Sequence, residues 1–416
     1  MMKHGTRESN TILYLLIACA PVFNVYQFGI LNGGDIAIAL VIVLVLLIDL
    51  KTGRRITISA YGMFAFFIVN LVISLIFSLF SNHFFTTDFC AKWIKIFMYL
   101  LAIEMGRKLV TNYKRAANIY ITVVLICSWI IIIQYLGTFI GFHFFPYLNY
   151  PALNYNVNKA ELISLQQRAI RLGSYRPAAI FPEPAHFAQF SLLGLALSSL
   201  FEKGKKRLMT RSIITIALVC CGSAIGIATA IVLWTLWYYK YIKNYLTVSR
   251  FIMIVILMVA GIMILQNLGI LESVWNRVAT TDPTAGNTTG NLRLLQGIAI
   301  FSRVPLINKI LGLGFGNVRN FLISNNIATR YLNEVGNEYM NAFSTVLVSS
   351  GIVGFGIFIY SWIRMLIKAA TPVQKHICIV LTLLFFTSSI FYSCIVVMYM
   401  IFIRATVSAE ESLLED

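Results

Sequence analysis

Charged residues are scarce in this chain of 416 residues: they make up 12% of the sequence, whereas hydrophobic residues make up 59% and the mean hydropathy is +0.80. A water-soluble protein of this length does not need so large an apolar share, so the surplus must face lipid. The apolar residues come in repeated runs close to the ~20 residues with which a helix crosses a hydrocarbon core. The alternation that a membrane β-barrel requires is missing from these runs. The composition therefore predicts an all-α polytopic membrane protein.

The sequence also lacks the spacings that hold metals, disulfides or nucleotides. Its seven cysteines lie mostly inside apolar runs and indicate neither a disulfide framework nor a zinc site. The glycine-rich stretch 312–316 lacks the lysine and the serine or threonine of a P-loop. We therefore expect no cofactor and no metal ion. The formal net charge of +17 sits mostly in short clusters between apolar runs, where it indicates membrane topology rather than a nucleic-acid partner.

About twelve apolar spans follow one another along the chain, with a range of ten to twelve because two pairs are ambiguous. The first span is long for a signal-peptide core and lacks a small-residue cleavage site, so we expect it to be retained. The runs 208–239 and 376–405 could each form one long tilted helix or a hairpin of two short helices. Two hairpins place nearly all short basic loops on one side, which the positive-inside rule identifies as cytoplasmic, and we prefer that arrangement. The predicted spans are 11–30, 35–49, 57–80, 92–105, 116–141, 186–201, 208–221, 223–239, 251–270, 338–361, 376–391 and 394–405.

This topology leaves two long polar loops on the outer face and divides the chain into five parts. Long loops usually carry function, and we expect these two to fold against the membrane surface with short helices. The parts are N-terminal transmembrane helices in 1–141, a first large outer loop in 142–185, central transmembrane helices in 186–270, a second large outer loop in 271–337, and C-terminal transmembrane helices with a cytoplasmic tail in 338–416.

The outer loops carry an excess of basic residues, which breaks the positive-inside rule. Arginine presents a planar fork that matches phosphate oxygens, so a lipid diphosphate at the outer leaflet is the natural partner. The structural alternative is attraction to anionic membrane lipid or pairing with nearby glutamates, and for any single arginine it is the stronger explanation. The basic residues are Lys159, Arg168, Arg171 and Arg176 in the first loop and Arg277, Arg293, Arg303, Lys309, Arg319 and Arg330 in the second.

Glu183 lies between two prolines where the first outer loop re-enters the membrane, in the stretch RPAAIFPEPAHFA at 176–188. We expect the prolines to fix the backbone and to prevent helix on either side, which holds the carboxylate at a rigid turn. The structural alternative is a proline-rich helix start with Glu183 near the positive end of the helix dipole. We favour a functional role for Glu183.

Two further stretches could carry chemistry. In the second loop, Gly314 could let the backbone approach a ligand closely, or it could simply form a tight turn. At the predicted start of the tenth span, Asn337 and Glu338 could hydrogen-bond a sugar hydroxyl, although capping of the helix is the favoured role for Asn337. The small residues at 349–354 favour close helix contact.

Two lysines and three histidines fall near the predicted outer interface. Lys92 and Lys95 act against the orientation bias there, and we expect them to extend toward the interface. The histidines are scattered singly, so we interpret them as polar interface residues rather than catalysts. They are His83, His143 and His186.

Taken in order, these motifs resemble the O-antigen and capsule polysaccharide polymerases of bacteria, and the resemblance covers most of the chain. In that family an arginine followed after ten residues by a glycine occurs in the outer loops, and Arg303 with Gly314 fits this spacing. The related O-antigen ligases carry a histidine where this chain has Gly336, which favours a polymerase. The matching residues are Arg176, Phe181, Glu183, Pro184 and Ala188; Arg293, Arg303, Pro305, Gly312 and Gly314; and Asn337, Tyr339, Gly351 and Gly354.

The resemblance implies a metal-independent glycosyltransferase that joins undecaprenyl-diphosphate-linked repeat units at the periplasmic face of the bacterial inner membrane. The products would be O-antigen of lipopolysaccharide, capsule or exopolysaccharide, both outer loops would be periplasmic, and a polysaccharide chain-length regulator would be a partner. Arginines would neutralise the leaving diphosphate, and a carboxylate would orient the acceptor hydroxyl and take its proton. The alternatives are a ligase of the same fold and a transporter or flippase for the same lipid-linked glycan, which would need ionisable groups near mid-membrane.

These interpretations define the candidate site. The predicted catalytic residues are Glu183, Glu338 and Arg303. The predicted residues for binding the substrate and its diphosphate are Arg171, Arg176, Arg293, Arg303, Arg319, Asn337, Tyr339 and Gly314.

Overall fold

The computed structural model describes the chain in eleven stretches, and within them the secondary structure is almost entirely helical. The described residues are 2–29, 31–52, 61–79, 86–106, 112–145, 159–172, 175–200, 204–245, 263, 289–328 and 335–414. The first helices are α1 (Met2–Phe23), α2 (Gly33–Thr52), α3 (Tyr61–Leu79), α4 (Thr86–Glu104) and α5 (Tyr113–Thr138). Between α1 and α2, the strands β1 (Gln27–Phe28) and β2 (Leu31–Asn32) pair as a short antiparallel hairpin.

Four described helices are long and apolar enough to cross a membrane, judged by length and composition: Gly33–Lys51, Gly62–Leu79, Tyr113–Thr138 and Ala342–Lys368. Large apolar side chains such as Ile133, Leu136, Ile352 and Val353 lie exposed on them. Contiguous apolar surface of this kind would be unfavourable in water. The prediction of an all-α membrane protein is therefore confirmed at this level.

The helix α7 (Pro184–Leu197) lies at the centre of the molecule, and every side chain from Phe187 to Leu197 is buried. A helix that is apolar all round belongs in the interior. Helix α7 packs against α5 and against α8 (Lys205–Cys220), α9 (Ala224–Tyr245), α15 (Pro372–Thr387) and α16 (Cys394–Leu414). Close packing against α5 depends on Gly194, because a Cβ there would lie 2.8 Å from a methyl group of Val124. A short 3-10 helix at Ser198–Leu200 follows α7.

The two ambiguous apolar runs are both interrupted, as the preferred topology requires. In the first, α8 (Lys205–Cys220) and α9 (Ala224–Tyr245) form a hairpin. A hydrogen bond from Trp234 Nε1 to Thr215 Oγ1 at 2.9 Å joins the two helices. In the second, α15 (Pro372–Thr387) and α16 (Cys394–Leu414) also form a hairpin. Here Gln374 Nε2 donates a hydrogen bond to the Ile403 carbonyl at 3.0 Å. The predicted span 251–270 lies outside the described residues apart from position 263.

Short helices occupy the described parts of the two polar loops. The first loop contains α6 (Lys159–Arg171), and the second contains α10 (Thr289–Leu294), α11 (Gln296–Arg303), α12 (Leu306–Leu311) and α13 (Val318–Ser324). The glycine-rich stretch 312–316 lies between the last two of these helices in the chain. Its position is fixed by contacts with the long helix that follows the second loop.

That long helix, α14 (Ala342–Lys368), is broken at Gly351, where φ is +66° and ψ is −175°. Near the break the carbonyls of Val348 and Ser349 accept hydrogen bonds from the amides of Leu313 (3.0 Å) and Gly314 (2.8 Å). Non-helical backbone at membrane depth is tolerated where protein groups satisfy it. The small residues expected to favour close helix contact allow both α12 and the glycine-rich stretch to approach α14, since a Cβ at Gly351 would lie 2.3 Å from the Ile310 carbonyl oxygen.

Contacts between helix ends define one face of the bundle, which we call the site face. Ser199 Oγ lies 3.3 Å from His376 Nδ1, so α15 begins beside the end of α7 and runs back along it. The Ala342 amide donates to the Ser388 carbonyl at 3.0 Å, so α14 begins where α15 ends. The starts of α7 and α14 therefore lie together at the site face.

Candidate functional site

The stretch 176–188 leads the chain into α7 at the site face. Glu183 is the N-cap residue in an extended conformation, Pro184 follows at the first helical position, and the Glu183 side chain makes no capping hydrogen bond. The expectation that both prolines prevent helix was wrong for Pro184, because the first helical residue needs no N–H donor. Glu183 is exposed, and it lies at the positive end of a buried helix.

A buried glutamine of α5 fixes the conformation of this loop. Ala179 has φ of +52°, which side-chain-bearing residues rarely adopt, and it is fully buried. The Gln134 side chain accepts a hydrogen bond from the Ala179 amide at 2.8 Å and donates to the Ala179 carbonyl at 3.2 Å. It also donates to the Phe144 carbonyl at 2.8 Å. Gln134 thus determines where the flanking Arg176 and Glu183 lie, and sequence reasoning missed it.

The two polar loops meet at Arg176 and Arg293. Arg176 is close enough for the charges of both Glu183 and Arg293 to act on it. Burial lowers the pKa of the Arg176 guanidinium, and Arg293 adds to this effect while Cys221 and Glu183 oppose it. Because its charged form is disfavoured, this guanidinium would gain from an incoming anion.

Arg293 is anchored to the start of α14. Its Nε donates to the Tyr339 hydroxyl at 3.2 Å, and its carbonyl accepts from Asn341 Nδ2 at 2.7 Å. Asn341 is also the N-cap of α14, since its Oδ1 accepts from the Ser344 amide at 2.8 Å. The capping role expected for Asn337 was therefore wrong: the helix begins later, and the Asn337 side chain accepts from the Tyr339 amide at 2.9 Å within a turn.

His186 joins this group, although its sequence alone suggested a simple interface residue. It lies in the first turn of α7, at the third helical position after the N-cap Glu183, and side chains at these two positions can lie close together. The charges of Glu183 and Arg293 both act on it. The spacing Glu-x-x-His at a helix start was the signal that could have identified it. We call Arg176, Glu183, His186, Arg293 and Tyr339 the α7 cluster.

Glu338 lies next to the α7 cluster in sequence but has a different partner. Its carboxylate forms an ion pair with Lys92, whose ammonium lies 5.7 Å from the centre of the Tyr392 ring. Lys95 pairs with the buried carboxylate of Asp35 at 2.9 Å. The expectation that both lysines extend toward the interface was wrong for Lys95, because it neutralises a fully buried carboxylate. Lys92 and its partner Glu338 are both partly exposed, so the expectation for Lys92 stays a prediction.

Three other predicted arginines lie elsewhere on the surface. Arg303 Nη1 donates to the Ala328 carbonyl at 2.6 Å, Arg319 pairs with Asp88 at 2.7 Å, and Arg171 lies exposed at the end of α6. The structure does not bring these side chains into the α7 cluster. Arg277, Arg330 and His83 lie outside the described residues.

The glycine-rich stretch approaches protein backbone. Gly314 has φ of +86°, and a Cβ there would overlap the side chain of Ser74 on α3. Gly312, with φ of +89°, lies equally close to the carbonyl of Ser349. These glycines allow the second loop to dock against α3 and α14, and substrate binding by Gly314 stays a prediction.

Gly336 also occupies a position that a side chain would strain. Its φ is +84°, and a Cβ would lie 2.6 Å from Ile323 Cγ1. A histidine at this place would therefore require both the backbone and α13 to move.

The cluster combines two guanidinium groups, a carboxylate, an imidazole and a helix N-terminus, which together suit a phosphorylated substrate and a proton transfer. Among the described residues, no group of three His, Cys, Asp or Glu side chains is placed to hold a metal ion. No protein-family model matches the chain, and no curated protein matches it significantly.

Proposed function

We propose that this protein is a polysaccharide polymerase that joins undecaprenyl-diphosphate-linked oligosaccharide repeat units at the periplasmic face of the bacterial inner membrane. The observation that carries the proposal is the meeting of Arg176 and Arg293, from the two polar loops, beside Glu183 at the start of α7. The two guanidinium groups carry more positive charge than the single carboxylate of Glu183 neutralises, so they can bind a diphosphate.

The chemistry needs no more than these groups. When the sugar C1–oxygen bond breaks, the electron pair goes to the diphosphate, and Arg176, Arg293 and the α7 dipole stabilise the growing charge. Preorganised donors of this kind typically contribute about 10²–10³-fold each. The acceptor hydroxyl must lose its proton as its oxygen bonds to C1, and a base at the same face would receive it.

The proposal also includes twelve membrane crossings and a site face on the periplasmic side. Contacts between helix ends support this topology. The predicted topology requires α4 and α14 to begin on the same side, and Lys92 pairs with Glu338 there. It requires α4 and α16 to end together on the other side, where Arg404 pairs with Glu104 at 3.2 Å.

Gly336 favours the polymerase over the related ligase, because the ligase histidine could not take its place without strain. The flippase alternative would be favoured by ionisable groups at mid-membrane. The described buried carboxylates instead lie near helix ends: Asp35 in the first turn of α2, Asp49 in its last turn, and Glu104 at the last residue of α4. Asp35 pairs with Lys95 and Glu104 with Arg404.

Incubating the purified protein in proteoliposomes with lipid-linked repeats tests the proposal. We expect a ladder of lipid-linked products that differ by whole repeats, and a chain-length regulator added to the vesicles should narrow it. Movement of labelled repeats across the bilayer without longer products would make the protein a flippase. Transfer only to a non-repeat acceptor would make it a ligase.

A further inference from the structure

We propose that His186 is the base that receives the acceptor hydroxyl proton, and that Glu183 positions its ring and stabilises the imidazolium formed. This inference rests on the proposed glycan transfer, which it deepens by assigning the proton. It departs from the sequence-based candidates, which were the carboxylates of Glu183 and Glu338.

The first support is the position of His186 at the meeting point of the two loops. It is partly buried and lies in the first turn of α7, three residues after the N-cap Glu183. Hydrogen bonds place Arg293 at the same end of the bundle: its carbonyl contacts Asn341, and the next residue, Ala342, is bonded to Ser388 at the end of α15. Since α15 packs along α7 in the opposite direction, that end adjoins His186.

The second support is chemical. An ordinary imidazole has a pKa of about 6.5 and an ordinary glutamic acid about 4.3, so at neutral pH the imidazole is the stronger base that is still unprotonated. The carboxylate of Glu338 is already engaged in an ion pair with the Lys92 ammonium. The charge of Glu183 acts on His186, and a carboxylate near an imidazole can stabilise the charged form of the ring.

The third support is the charge around the ring. Burial and the charge of Arg293 disfavour a positive charge at His186, whereas the charge of Glu183 favours it. A bound diphosphate would cancel the charge of the two arginines. His186 would therefore become a better proton acceptor only when the donor is in place, which protects the activated donor from wasteful loss.

The step balances without a further reactant. The acceptor oxygen forms a bond to the donor C1 while the bond from C1 to the diphosphate oxygen breaks, and the electron pair of that bond leaves with the diphosphate. The hydroxyl proton moves to the unprotonated ring nitrogen of His186. It then passes to water, which returns the imidazole to its neutral form.

The variant His186→Gln tests the assignment with synthetic lipid-linked repeats in proteoliposomes. Glutamine retains polarity but cannot take a proton at neutral pH, so we expect kcat to fall by about 10²–10⁴-fold while the KM for the donor changes little. His143→Gln is the matched control, because His143 is a half-buried histidine outside the α7 cluster whose ring nitrogen lies 3.1 Å from the Gly141 carbonyl. It should retain the wild-type rate.

Two readouts separate a base from a structural residue. The wild-type rate should fall as pH drops through the range in which histidine gains a proton, and that acidic limb should vanish in the glutamine variant. Added imidazole should partly restore the His186→Ala variant and leave wild type unchanged. A glutamine variant with the wild-type rate, or a slow one that keeps the acidic limb and gains nothing from imidazole, overturns the assignment. Failure of the proposed function would look different, because wild type itself would then form no longer products.

Discussion

At the scale of single residues, the arginines of the two polar loops separate into two groups that the sequence does not distinguish. Arg176 and Arg293 are held at the start of α7, whereas Arg303 and Arg319 contact groups at the protein surface. An exposed ion pair such as Arg319 with Asp88 typically contributes only about 0–1 kcal/mol. The two groups should therefore respond very differently to substitution.

Replacing Arg293 by alanine should reduce repeat transfer by about 10²–10³-fold, because one preorganised donor to the leaving diphosphate is lost. The measurement is product length and initial rate with purified protein, with expression checked by detergent-solubilised yield. Arg319→Ala provides the control and should transfer nearly as wild type does. Equal loss in both variants would show that general positive charge matters rather than the α7 cluster.

Gln134 should act through Ala179. Gln134→Ala removes both hydrogen bonds that hold Ala179 at its unusual φ of +52°, so the loop carrying Arg176 and Glu183 should relax and transfer should fall. Adding Ala179→Gly should recover part of the rate, because glycine adopts positive φ at little cost. The measurement is the transfer rate of both single variants and of the double variant. A double variant that transfers no faster than Gln134→Ala contradicts this role of Gln134.

The sequence could identify part of this site and not the rest. The prolines around Glu183 are a local signal, and the structural alternative drawn from them, a helix start with Glu183 near its N-terminus, is the one observed. Gln134 and Ala179 are 45 positions apart, and their contact depends on how α5 packs against α7. The partner of Lys92 is more distant still, at Glu338, so its ion pair could not be read from local spacing.

At the scale of helices and loops, the break in α14 joins the second polar loop to the membrane-embedded part of the protein. Gly351 has φ of +66° with ψ of −175°, a conformation essentially restricted to glycine. A Cβ there would overlap the backbone of 310–312. The glycine-rich stretch and the helix break thus depend on each other.

Gly351→Ala should therefore destabilise the protein by at least about 1–3 kcal/mol from the backbone alone, with the overlap adding to that cost. Gly356→Ala is the matched control in the same helix, because its Cβ would meet nothing within 4 Å. It should leave stability unchanged or slightly raised, since alanine is the better helix former. Thermal unfolding in detergent measures both, and a wild-type melting temperature for Gly351→Ala would show that α14 can straighten.

Sequence patterns predicted the presence of helices more accurately than the residues at which the helices begin and end. The Gly222-Ser223 interruption was a visible break, and α8 and α9 separate there. The start of α14 was placed too early because Asn337 and Asn341 are equally good caps in isolation. The choice of Asn341 depends on a contact with the Arg293 carbonyl, which only the folded protein provides.

At the scale of the whole molecule, the helix ends sort into two faces, and the α7 cluster occupies one of them. Described contacts at the other face include Arg115 with Thr11 at 2.8 Å and His376 with Ser199 at 3.3 Å. Arg115 and Lys205, two described basic residues predicted to be cytoplasmic, lie in the first turns of α5 and α8 at that second face. If the positive-inside rule holds for these basic residues, the site face is the periplasmic one, as the proposed function requires.

Accessibility labelling tests this orientation and with it the meeting of the two loops. Single cysteines at Leu172 and Val335, which are exposed in the first and second polar loops, should react with a membrane-impermeant maleimide in right-side-out vesicles. A cysteine at the exposed Lys205, at the start of α8, should react only in inverted vesicles. The exposed Cys90 must first be replaced by serine, because it would report the site face by itself. Labelling of positions 172 and 335 from opposite sides would separate the loops by a bilayer, and no diphosphate could then touch both Arg176 and Arg293.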